Sequence, residues 1–158
     1  MWLHRSPVRA LVIAAALVVA ACTQGSGTTT VPTTQPTTAA QPTTALMGIG
    51  SFHDVDGTAT GQAQLIVTPA GAYEVVLEDF KVVSIEHTNV VLVANADVTA
   101  TSDVDPSKLL DLGPLKAPEG MQDFAIPADM AASVSDGYHA VVIWDTAMAH
   151  AIAAAPLK

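Results

Sequence analysis

Few side chains in this sequence have the types and spacing that chemistry needs. The most suggestive group lies near the C-terminal end, where His139 precedes the run Ala140-Val141-Val142-Ile143-Trp144, Asp145 follows it, and His150 comes five residues later. A carboxylate with two imidazoles is a reasonable ligand set for Zn, Cu or Mn. The spacing argues against it. Ala140–Trp144 reads as a buried strand, so His139 and Asp145 fall at its opposite ends, about 20 Å apart when extended. His150 reaches Asp145 only through a favourable turn. The expectation is a solvated aspartate at a strand end, with no metal.

Other candidates are weaker. In His53-Asp54-Val55-Asp56 the two carboxylates share a face of an extended segment, and carboxylate pairs suit Ca²⁺. A calcium loop needs more oxygen ligands, so this reads as an acidic loop. Glu86-His87 reads as a solvated strand break, and Trp144, Tyr73 and Tyr138 as packing residues. There is no Gly-rich phosphate loop, no nucleophile elbow and no histidine pair at helical spacing. Neither a catalytic residue nor a cofactor site is expected, and the chain does not read as an enzyme.

Length and charge narrow the class. The 158 residues suffice for one modest domain with appendages. The formal charge is −9, but Arg5 and Arg9 precede Cys22; from there on, four lysines face 15 acids, and 4 − 15 gives −11. Such a surface repels phosphate backbones, which excludes nucleic acid as a partner. The single cysteine, Cys22, excludes an intrachain disulfide and a thiolate metal cluster.

The position of that cysteine suggests its use. Residues 1–21 place two arginines before an apolar run from Ala10 to Ala21, shorter than the roughly 20 residues of a membrane-spanning helix but right for a signal-peptide core. Val19-Ala20-Ala21-Cys22 resembles the lipobox of bacterial lipoproteins. The resemblance implies cleavage before Cys22, a diacylglycerol on its thiol and further acylation, with palmitate as a representative chain. Two or more chains anchor durably. The expected location is the extracytoplasmic face of the cell membrane, with the bilayer as one partner and an envelope protein or glycan as another.

Residues 22–45 form the next unit: uncharged, rich in threonine, with Pro-Thr-Thr at Pro32, Pro36 and Pro42. Such a segment buries too little apolar area to offset its ordering entropy and is expected to be a disordered tether, reaching at most roughly 70 Å at about 3.1 Å per residue. Residues 46–158 read as the folded domain. Ala63, Leu65 and Val67 alternate, Pro69-Ala70-Gly71 turns the chain, and Tyr73, Val75 and Leu77 alternate again, which predicts a hairpin. Val82–Ile85, Val90–Ala94, Lys108–Leu112 and Met121–Ile126 are further strand candidates, with Asn95–Ser107 a polar loop. Pro127–Gly137 suits one helical turn, with Asp129 positioned to meet free amides and Gly137 to close it. Thr146–Ala155 favours helix by its alanine content, with strand as a tertiary override. The fold class expected is all-β, a small sandwich or barrel-like domain.

A set of short stretches in order along 48–158 resembles the "DM-thirteen" electron-transfer domain family. They include Gly50-Ser51-Phe52, Thr60-Gly61-Gln62-Ala63-Gln64-Leu65, Leu77-Glu78-Asp79-Phe80 and Leu112-Gly113-Pro114-Leu115-Lys116. Gly120-Met121-Gln122-Asp123-Phe124, Ile126-Pro127, Val141-Val142-Ile143-Trp144 and Ala155-Pro156-Leu157 continue the series. The resemblance implies a small extracytoplasmic β domain whose last segment is a strand. It also implies a redox cysteine directly after the Ile-Trp pair, where this chain has Asp145. Gly57 stands where that family often has a histidine, and Thr88-Asn89 where it has Pro-Asp. A carboxylate cannot cycle to a disulfide or sulfenic acid. The expectation is therefore a binding or structural module of the envelope; the alternative is a redox-associated domain acting through a bound cofactor or metal.

Overall fold

A computed structural model describes residues 43–158; the expected signal peptide, Cys22 and nearly all of the expected tether lie outside them. Among the described residues nine strands form two antiparallel sheets packed face to face. In chain order they are β1 (Ala45–Ser51), β2 (His53–Asp54), β3 (Ala59–Val67), β4 (Tyr73–Val82), β5 (Thr88–Val93), β6 (Leu110–Pro114), β7 (Glu119–Ala125), β8 (Ala140–Asp145) and β9 (His150–Pro156). One sheet runs β1-β3-β4-β7 and the other β2-β9-β8-β5-β6. The first strand takes in Ala45, which composition assigns to the tether; its pairing with Val67 puts it in the sheet.

The alternating strands behave as their patterns require. Ala63 and Leu65 of β3, Val75 and Leu77 of β4, and Phe124 of β7 turn into the space between the sheets. They meet Val90 and Leu92 of β5, Val141 and Ile143 of β8, and Ala153 and Ala155 of β9. Each fully buried aliphatic side chain removes enough apolar surface from water to contribute about 1.5–3 kcal/mol. Gly61 sits in a bulge of β3 opposite the Glu78–Lys81 stretch, at φ 106°, with the backbone oxygen of Glu78 only 2.6 Å from where a Cβ would stand. Only glycine meets both conditions.

The central strands of the second sheet are buried on both faces, which explains the unbroken apolar runs Val90–Val93 of β5 and Ala140–Trp144 of β8. Its outer face, with Val91, Val93, Val142, Trp144, Ala151 and Ala154, packs against Val98 and Val104. These two belong to the segment 95–107, expected as a plain polar loop and found as an ordered cover. Asp103 holds it in shape, accepting from the amides of Thr99 and Ala100 and from the Thr99 hydroxyl around the 3₁₀ turn Thr101–Asp103. The Thr99 amide, then that of Ala100, keeps the Asp103 carboxyl below the usual range.

Two other expectations need correction. Val82–Ile85 is not a separate strand: β4 ends at Val82, and Val83 is exposed. The helical segment is longer than one turn, a 3₁₀ turn Ala128–Met130 continuing into helix α1 (Ala131–Gly137), and no side chain caps either start, so Asp129 does not fill the expected role. The alanine-rich C-terminal segment, ambiguous by composition, takes the strand alternative. Its alanines are buried on both faces, and that tertiary burial overrides their helix propensity.

Candidate functional site

The site forms where three turns meet at one end of the sandwich. Asp145 ends β8, and the chain reverses through Thr146–Ala149, bringing His150 into direct register opposite Asp145. This is the favourable turn on which their meeting depends. Asp145 makes the turn: its Oδ1 accepts the amides of Ala147 and Met148, both at 2.8 Å. Ala149 completes the reversal in the left-handed region, at φ 53°.

On the other side of Asp145, β5 begins with Thr88, its register partner. The preceding residue, His87, is also left-handed, at φ 56°. Its carbonyl accepts both the amide of Thr146, at 2.7 Å, and the Thr146 hydroxyl, at 2.9 Å. The β4–β5 and β8–β9 turns are thus latched together. The third wall is Gly57-Thr58, and the Gly57 amide donates to the Ile152 carbonyl at 3.0 Å.

Between these turns lies an open cleft of about 460 Å³, lined by Val82, Val83, Glu86, His87, Asp145, Met148 and Ile152 among others. A volume of this order suits a small molecule. Asp145 is only 8 % exposed, whereas Val83 and Met148 are 89 % and 71 % exposed. The amide of Met148 does most to hold the Asp145 carboxyl below the usual carboxylate range. Burial opposes it; the Ala147 amide and charge on His150 and His87 reinforce it. No family profile, curated protein or solved structure matches the chain.

The sequence candidates therefore separate. Asp145 and His150 come together, His87 joins them from a turn that reads in sequence as mere solvated loop, and His139 stays at the far end of β8. Gly57, Thr88 and Asp145, the positions singled out by the family resemblance, line one cleft; Asn89 does not, its side-chain amide being spent on Asp111. The Asp54/Asp56 pair does not form a site. Asp54 pairs with β9, while Asp56 accepts from the Thr101 hydroxyl and braces the cover segment. His53 is structural as well, with Nε2 2.8 Å from the Val98 carbonyl oxygen. Among the described residues no three His, Cys, Asp or Glu side chains are grouped to hold a metal ion. Trp144 and Tyr73 pack as expected, Trp144 under the cover segment and Tyr73 at the margin of the core. What sequence reasoning misses is the role of Val83, Met148 and His87. The only signal for it is that β5 starts next to His87 and must lie beside β8.

Proposed function

We propose that this protein is a lipid-anchored, extracytoplasmic binding module, non-catalytic, with the cleft at Asp145 as its ligand-facing surface. One observation carries the reading: Asp145, where the resembling family keeps a redox cysteine, spends Oδ1 on the amides of its own hairpin turn. A group so used holds a preformed concavity open, and it has no thiol chemistry to offer. The lipid anchor rests on the lipobox-like Val19-Ala20-Ala21-Cys22, and the tether on the Pro-Thr-Thr repeats.

A second reading draws on the convergence of Gly57, Thr88 and Asp145 with two imidazoles at one cleft: a redox-associated domain that works through a bound cofactor or metal. Absorption spectra, metal analysis and voltammetry on the purified protein separate the two. The binding-module reading expects no chromophore, no stoichiometric metal and no reversible wave; any of these transfers the function to the second reading. For the anchor, cells fed a radioactive fatty acid are expected to label the wild type and not Cys22→Ser. An unlabelled wild type removes the lipoprotein claim.

A further inference from the structure

The cleft combines a nearly buried acid with an apolar rim, and the only basic side chains in its lining are the imidazoles of His87 and His150. Among the described residues Oδ2 of Asp145 accepts no hydrogen bond, both turn amides being on Oδ1. No lysine or arginine lines the cleft. Three of the four lysines pair with acids elsewhere: Lys81 with Glu119, Lys108 with Asp105, and Lys116 with Asp123. The fourth, Lys158, is the C-terminal residue, its backbone paired with Ile49.

Oδ2 keeps contact with solvent while the rest of Asp145 is nearly buried, so a charged acceptor with no lysine or arginine beside it faces the cleft and favours a cation from outside. Anions are disfavoured, since Glu86 adds a second negative charge to the same lining. A bare divalent ion needs converging ligands, and the described residues offer no such group. The rim then selects among organic cations. Val83 and Met148 stand exposed at the cleft, with Val82 and Ile152 also lining it, so an apolar stem gains contact there. Methionine suits stems of varied shape because its side chain is flexible and polarisable.

We propose that the cleft binds a small organic cation, an ammonium group on a short apolar stem, with the ammonium on Asp145 Oδ2 and the stem between Val83 and Met148. The assignment rests on the cleft being the module's binding surface and goes on to name what it holds. The latched turns preorganise the site, so binding requires no reordering of backbone.

The test uses the full-length, ¹⁵N-labelled protein in nonionic detergent micelles, titrated separately with n-butylammonium, n-butanol and butyrate at constant ionic strength. Butylammonium is expected to shift the amides of Ala147 and Met148 saturably, with n-butanol on the order of tenfold weaker or worse. Asp145→Asn keeps an oxygen acceptor for both amides and is expected to lose a similar factor. Met148→Lys supplies an internal ammonium and is expected to block the site. Met121→Lys, on exposed β7 outside the cleft, is expected to leave binding unchanged. Equal binding of butanol and butylammonium, or undiminished binding by Asp145→Asn, overturns the cation assignment while leaving a binding cleft. No saturable shift from any of the three probes overturns the cleft as a binding surface, and the assignment with it.

Discussion

Asp145 has two duties that pull its chemistry the same way. The amides that make the β8–β9 turn also stabilise its charged form, so the residue that shapes the cleft remains an anion within it. Linkage gives the sign. The folded state lowers this carboxyl below 3.8, so its contribution to stability is complete above the ordinary carboxylate range and is lost as pH falls through the lowered folded value. Asp145→Asn removes that titration while keeping an acceptor. The wild type's stability advantage over Asp145→Asn is therefore expected to be largest near neutrality and to shrink steadily below about pH 4, read from urea midpoints across the acid range. An advantage that grew on acidification would contradict the role given to the turn amides. Little of this is legible from the residues alone. Asp145 stands out by its place after Trp144, but its partners are backbone amides, which carry no sequence signature. His87 reaches the site through strand register, a long-range property that Glu86-His87 does not announce.

Strands with strict alternation are legible at once, because a single buried face leaves a period of two in the sequence. The β3–β4 hairpin is the clearest case, with turn chemistry at Pro69-Ala70-Gly71 between two alternating runs. Strand β9 is ambiguous for the opposite reason: alanine is a good helix former, and what makes it strand is the neighbour on each side. A bulge at Ile152 shifts the register against β8, so that Ala153 and Ala155 face the inter-sheet core while Ala151 and Ala154 face the cover segment. All four are fully buried. Small side chains are therefore a packing requirement, and better β-propensity does not rescue a larger residue. Ala153→Leu is expected to cost about 1–3 kcal/mol through overpacking, measured as a lower denaturant midpoint with an unchanged slope. Unchanged stability would mean that the layers have slack which the complete burial of Ala153 does not suggest.

At the scale of the molecule, charge outweighs any single contact. The described residues hold all 15 acids and four lysines, a formal −11, on a domain whose three ion pairs are all at least half exposed. Exposed pairs of this kind contribute little and weaken in salt, whereas the excess of like charge repels across the whole surface. Salt therefore has two opposing effects on stability. Screening weakens three marginal attractions, and it weakens the repulsion among many more unpaired carboxylates, over a Debye length of about 10 Å at 0.1 M. Repulsion outweighs attraction here, so the melting temperature is expected to rise as NaCl goes from about 10 mM to roughly 0.3 M, most steeply at the low end. KCl is expected to give the same curve, because screening depends on ionic strength and not on ion identity. A melting temperature that fell with salt would mean that the ion pairs dominate. A rise specific to one cation would instead point to site binding, which the Asp145→Asn variant would then locate in the cleft or exclude from it.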